Sequence, residues 1–415
     1  MAQESEEIPL VRKKIPAISL LPNGSQLKGV MLPRYDEKRN LVGVLKAKAM
    51  TLVNEEQIDG ETVSLEFFNP DQSPRGRVDL KRASLYQTKG LLEAKEAVDI
   101  KSDRLTAHGT GLVYSFEKGE GFLLGPVTTI MQALNETTMN TPRTPLRATA
   151  LLGMSLITQS LAAGPPPAMT AEERGALQSD AAPKASKAAE ANAVTRQALQ
   201  TDLADSETAS KAAKTFLVQA NIPVPAAADP AADAKPLEVK PGPDDTVIDC
   251  EGGMYFDADE GCLVFLKNVT VNDPQLDLSA KNELKVFFSK KPAKEKNPDK
   301  TEDPKEAGKK SKGAFGNVGA NFGEVERIVA TGAVRALQKK PDPGQPPVEA
   351  SGAVFSYNVK SEQIIIHGGA PWVKRGGLIT RAKTAEQTLR IDKDGVFDFD
   401  GPTQIILPVE ELKKR

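Results

Sequence analysis

The strongest constraint on this chain is a texture that recurs along it: two short runs of alternating apolar and polar residues, folded about a polar turn. Residues 252–271 read GGMYFDADEGCLVFLKNVTV, residues 82–100 read RASLYQTKGLLEAKEAVDI, and residues 352–373 read GAVFSYNVKSEQIIIHGGAPWV. Alternation of period two sends successive side chains to opposite faces of an extended chain, a pattern that suits a strand and not a helix. The same texture fills VGVLKAKAMTLV at 42–53, ETVSLEFF at 61–68 and GLVYSFEKGEGFLL at 111–124, with Gly, Asn and Asp at the turns. The reading is an all-β chain built from repeated hairpins.

Two stretches break it. Between 131 and 239 the composition shifts to Ala, Pro, Ser and Thr, which predicts a linker of fraying helix or disorder with too few large apolar residues to bury a firm core. Within it lies a signal-like apolar segment at 144–163: Arg143 and Arg147 precede an uncharged apolar run that ends in small residues, the order of a secretory signal placed in mid-chain. A signal remnant, a membrane segment and an amphipathic linker helix are the three readings of that run. The second break, 289–316, is rich in Lys with Pro and Gly; 9 Lys stand against 5 Asp or Glu from 289 to 313, so a solvated disordered insert is expected, with attraction to lipid phosphates as the alternative. Residues 1–25 are polar, lack the apolar run of an export signal and are expected to be disordered. The expected organisation is therefore a β-domain at 26–130, a linker at 131–239 and a second β-domain at 240–410. A length of 415 residues also favours more than one domain.

Charge and chemistry narrow the function. The 54 Lys and Arg nearly balance 56 Asp and Glu, which removes the basic footprint of a nucleic-acid binder. The only histidines, His108 and His367, stand apart from any Cys or carboxylate motif, and no metal-ligand spacing, nucleophile elbow or phosphate loop is present. No enzyme, metal or cofactor is assigned.

In the hairpin at 252–271 both strand faces carry apolar residues: Leu263, Phe265, Val269 and Val271 on one, Cys262, Val264 and Leu266 on the other. Such a strand is either covered on both sides or lines an apolar groove; a filled sandwich core is the competing reading. Cys250 and Cys262 flank the turn out of register for a bridge, so two buried free thiols are favoured over a disulfide.

Residues 255–288, YFDADEGCLVFLKNVTVNDPQLDLSAKNELKVFF, resemble the repeat of the LptA-like (OstA-like) lipopolysaccharide-transport proteins: an aromatic and Asp, a turn, an apolar strand ending in a Gly-Asn-Val element, and a strand with alternating Leu and Ala. Lys267 stands where that element carries Gly. Gly332, Ala333 and Val334 repeat the element, and 355–383 resemble the later strands of the family, through Tyr357, Ile364 to Ile366 and the Gly-Ala-Pro before Trp372. The first half, from 35 to 130 and ending in Gly-Pro-Val, is similar to the LptC-like proteins.

The resemblance implies two open β-jelly rolls that carry lipopolysaccharide or a similar lipid across the periplasm to the outer membrane without chemistry. It further implies pairing with other jelly-roll transport proteins through edge strands. A dozen buried methylenes would contribute on the order of 10 kcal/mol at about 0.8 each, so a row of aliphatic and aromatic side chains suffices. The residues expected to line that trough are Leu263, Phe265, Val269, Val271, Leu276, Leu278, Ile364, Ile366 and Trp372. A purely structural β-repeat protein of the cell envelope is the alternative.

Overall fold

The protein is known from a computed structural model, which describes residues 21–35, 39–68, 72–102, 105–116, 118–132, 171–222, 241–257, 260–289, 324–339, 346–392 and 396–407. The apolar run at 144–163, nearly all of the Lys-rich insert and most of the N-terminal segment lie outside the described residues. The architecture is all-β and antiparallel, with 24 strands in one hydrogen-bonded network and one helix among the described residues.

Four long strands begin it as a meander: β1 (Gln26–Tyr35), β2 (Leu41–Leu52), β3 (Gln57–Phe68) and β4 (Pro74–Tyr86). The next strands are short: β5 (Leu91–Ala94), β6 (Val98–Ser102), β7 (Leu105–Gly109), β8 (Gly111–Ser115), β9 (Glu120–Leu124) and β10 (Val127–Met131). Helix α1 (Ala171–Gln219) follows. After it come β11 (Thr246–Cys250), β12 (Met254–Asp257), β13 (Cys262–Leu266), β14 (Val269–Asn272), β15 (Leu276–Ala280) and β16 (Glu283–Phe288). Strands β17 (Val325–Gln338) and β18 (Val348–Asn358) are long again. The last described strands are β19 (Gln363–His367), β20 (Trp372–Arg375), β21 (Leu378–Ala382), β22 (Thr388–Ile391), β23 (Phe397–Phe399) and β24 (Thr403–Ile406).

The pairings resolve into two layers. Sheet I runs β4–β6–β7–β10–β11–β14–β15–β17–β18–β20–β21–β24. Sheet II runs β4–β5–β8–β9–β12–β13–β16–β17–β18–β19–β22–β23. The long strands β4, β17 and β18 belong to both layers, bending from one into the other. Each repeat is a hairpin whose two arms cross from sheet to sheet: β4 to β6, β7 to β10, β11 to β14, β15 to β17, β18 to β20 and β21 to β24, roughly 28 residues apiece without inserts.

This explains the recurring Gly-Asn-Val element: it is the corner where a strand leaves sheet II for sheet I. Positive φ recurs there, at Gly125, at Lys267 and Asn268, at Gly332 and Ala333, and at Gly368, Gly369 and Ala370. At Gly332 a Cβ would sit 2.4 Å from Asn282 of the neighbouring corner, so glycine is demanded by space as well as by φ. Lys267, with φ 62°, meets the same backbone requirement at a steric cost.

The two spans expected as separate rolls share both sheets. Strand β10 pairs with β11 from Val127↔Cys250 to Met131↔Thr246, and β9 pairs with β12 from Glu120↔Asp257 to Leu123↔Met254. The strands on either side of 132–245 are thus direct neighbours in sheet I, and those on either side of 289–324 direct neighbours in sheet II. A single interior cluster runs from Leu45 through Tyr114, Phe256 and Phe355 to Ile391, between the two layers.

The expectation that the Ala-rich segment buries no firm core is overturned for its C-terminal part. Thr195, Leu199, Asp202, Ser206, Ala209, Ala213, Phe216 and Leu217 of α1 are buried at three- and four-residue spacing. Ala209, Ala213, Phe216 and Leu217 pack against Val113, Phe122, Tyr255, Cys262 and Val264 on the outside of sheet II, while Asp202 reaches Arg327 and Ser356 further along it. Small side chains let the helix axis approach the sheet, and the sheet supplies the bulk. Asn221, with φ 53°, ends the helix: Asn221 N–H donates to the Val218 carbonyl and Ile222 N–H to that of Leu217, the left-handed cap that favours Asn or Gly.

Candidate functional site

The candidate lipid-facing residues divide by strand parity. Leu263 and Phe265 of β13 point between the sheets and are 1% and 0% exposed, while Cys262 and Val264 point outward beneath α1. Strand β13 is therefore apolar on both faces because both faces are covered. Val269, Leu278, Ile364 and Ile366 join the same interior, and Val271 and Leu276 pack against it, half-buried, from sheet I. The interior at these positions is a packed core in which the sheets rest on one another.

Trp372 departs from this set. Its neighbour Val373 enters the interior, and Trp372 lies on the outer face of sheet I, cross-strand from Ser351 and Arg381. Counting in twos from Ile366 predicts an inward Trp372; the three consecutive positive-φ residues at 368–370 make the corner irregular and shift the parity.

The apolar interior emerges at the C-terminal end. In sheet II, Phe397 and Phe399 pack edge-on, their centroids 6.1 Å apart, beside the core residues Ile391 and Leu389. In sheet I, Ile405 stands opposite Thr380 on the inner face yet is 63% exposed, and Leu407 is 52% exposed. Among the described residues β23 and β24 have no partner on their far sides, as β1 has none on its own. Each end of the stack thus presents open backbone edges, and the C-terminal end adds an apolar mouth.

Sequence reasoning missed the charged seam that docks α1. Arg327 of β17 lies over the Phe287 ring at 4.5 Å and donates to Asp202 at 2.6 Å and Asp205 at 2.7 Å. Burial acts to lower the Arg327 pKa, but its bonds to Asp205 and Asp202 raise it overall. The Ser356 hydroxyl donates to Asp202. About two turns along α1 from Asp202, the Ser210 hydroxyl donates to Glu283 at 2.6 Å, and the buried Lys285 ammonium meets the same carboxylate at 2.5 Å. Burial acts to raise the Glu283 carboxyl, yet the bonds from Lys285 and Ser210 hold it below its ordinary value. The only sequence signal was Glu283 and Lys285, two apart in an otherwise apolar strand, ELKVFF.

Nothing in this seam is arranged as a nucleophile with its base. Cys250 and Cys262 are free and buried, on the inner and outer side respectively, and burial pushes their thiols up to about 11 and about 12. His108 Nδ1 lies 2.8 Å from Asp99 and His367 Nδ1 3.1 Å from Thr388, each a cross-strand pair on a sheet face. Among the described residues no group of three or more His, Cys, Asp or Glu is placed to hold a metal, and no helix is long and apolar enough to cross a membrane.

No protein-family model and no curated protein matches the chain. Among solved structures it is similar to the crystal structure of LptH from Pseudomonas aeruginosa, the LptA-homologous periplasmic component of the conserved lipopolysaccharide transport device. The match is 11% identical and covers 39% of this chain and 94% of that one, with a TM-score of 0.27. A likeness this remote carries no functional argument, and the all-β antiparallel architecture stands on the strand pairing itself.

Proposed function

We propose that the protein is a non-enzymatic carrier or bridge for lipopolysaccharide or a similar multi-acyl lipid, holding acyl chains between its two sheets in the periplasm on the way to the outer membrane. The observation that carries this reading is the apolar interior that runs the length of the stack and opens at Phe397, Phe399, Ile405 and Leu407. Acyl chains enter at that mouth and reach Ile364 and Ile366 first. Leu263, Phe265, Val269, Val271, Leu276 and Leu278 lie deeper and engage lipid only if the sheets part. The open edges at β1, β23 and β24 suit strand addition by neighbouring jelly rolls, which would lengthen the path.

A second reading, a structural β-repeat of the cell envelope, is favoured by the burial of Phe265 and Ile366, 0% and 2% exposed, since a filled core needs no cargo. A photoreactive phenylalanine analogue at Phe399, compared with one at Asp249 on the outer face, separates the two. Lipid-A-class adducts at 399 and none at 249 support carriage. Absence of adducts at 399 in protein taken from its own envelope, with a lipid-free native mass, favours the structural role.

A further inference from the structure

On the outer face of sheet I the cross-strand neighbours form continuous rows. One row reads His108, Thr128, Asp249, Thr270 and Ser279 through the middle of the sheet, a polar surface in which His108 and Thr128 are half-buried and Asp249, Thr270 and Ser279 are exposed. The same row then changes character: Ser279 is followed by Arg335, Ser351, Trp372, Arg381 and Gln404. The adjacent row over these strands holds Leu337, Glu349, Lys374, Ile379 and Ile406. Together Arg335, Glu349, Trp372, Lys374, Ile379, Arg381 and Ile406 line an open depression of about 480 Å³. Its floor is the only tryptophan of the chain, half-buried.

Arg335 is already paired with Glu349. Lys374 and Arg381 have no ion-pair partner among the described residues, so the depression carries two uncommitted positive charges beside an aromatic face. Its polar groups are of both kinds: guanidinium and ammonium donors, and the Glu349 carboxylate as acceptor. A polyanion with phosphates at every step would meet Glu349 unfavourably. A pyranose ring presents C–H groups to an aromatic face and hydroxyls that both donate and accept, and an anionic substituent on it satisfies Lys374 and Arg381.

We propose that this depression is a binding site for a negatively charged sugar, stacked on Trp372, with its carboxylate or phosphate held by Arg381 and Lys374 and its hydroxyls by Glu349. The site is on the outside of sheet I and independent of the interior lipid path. The anion has two possible sources, a uronic-acid glycan and a phosphosugar, which share the recognition chemistry.

Trp372 is its own reporter. Its emission in the full-length protein would be titrated with a galacturonate hexamer, with glucosamine 1-phosphate, and with maltohexaose as the uncharged counterpart. The expected result is a saturable change with a charged probe at concentrations where maltohexaose gives none, the tighter of the two charged probes naming the source. The Lys374→Gln/Arg381→Gln variant, both changes being on the sheet surface, should melt with the wild type and bind at least tenfold more weakly. A Lys374→Arg/Arg381→Lys variant should retain binding. No saturable change with either charged probe, equal response to maltohexaose, or undiminished binding by the Gln variant would overturn the proposal.

Discussion

The two sheets bend from the same strands, yet their outer faces are opposites. Outside sheet II, Val113, Phe122, Tyr255, Cys262 and Val264 are buried beneath α1. Outside sheet I, at the same level of the stack, stand Asp99, His108, Thr128, Asp249 and Thr270. Strands β13 and β14, joined by a single corner, show the change within one arm: all but the last residue of β13 is buried, while β14 alternates. An apolar outer face in an antiparallel sheet therefore announces a covering element, and the element lies in the long insert the sheet itself does not need.

The contrast breaks most severely from the inside, which both sheets share. Phe265→Ala should cost about 4 kcal/mol, because the ring is fully buried between two layers that cannot collapse onto the void; equilibrium denaturation would show it. On the covered face, Phe216→Ala should cost about 3 kcal/mol through its lost contact with Tyr255, ring centroids 5.9 Å apart. A helix that merely tethers the two halves would give no loss. Asp202→Asn should cost about 2 kcal/mol, since Arg327 keeps only Asp205 and Ser356 loses a charged acceptor.

The covered face should also be the pH-sensitive one. Glu283 has a pKa below its ordinary 4.5, so its stabilising contribution is fully present above that value and is lost as pH falls through the lower folded value. Wild type and Glu283→Gln should differ in denaturation midpoint at neutral pH and converge in acid; a constant gap would show that the carboxylate charge is not what holds Ser210 and Lys285. The smallest effect belongs to the bare face, where Thr270→Ala should stay within about 0.5 kcal/mol of wild type.

Much of this was legible in the chain. Period-two alternation marks nearly every strand, and the Gly-Asn-Val recurrence marks the corners, though only the structure assigns it that geometry. The apolar character of both faces of Leu263 to Leu266 was visible, and left covering and groove as rivals; covering is the outcome, by a helix whose composition argued against a core. That argument failed because it weighed Ala209 and Ala213 by their own area and not by the close approach they allow to Phe122 and Tyr255. Trp372 was assigned to the wrong face because parity cannot be carried through three positive-φ residues. The Arg327–Asp202 pairing, 125 positions apart in sequence, has no local signal at all.

The central claim is that the chain is one stack, with β10 and β11 paired as if the insert between them were a tight turn. Thr128 and Asp249 face each other across that seam, the hydroxyl 2.6 Å from the carboxylate, whereas Thr270 is one strand further on. Mild oxidation of a Thr128→Cys/Asp249→Cys variant, read by peptide mapping, tests the seam directly, the natural thiols being buried and poorly ionised. The account predicts rapid, near-complete bridging of 128 to 249 and none in a Thr128→Cys/Thr270→Cys control, two strand spacings apart. Failure of the 128/249 pair to bridge in the folded protein, or equal bridging in both variants, would contradict it.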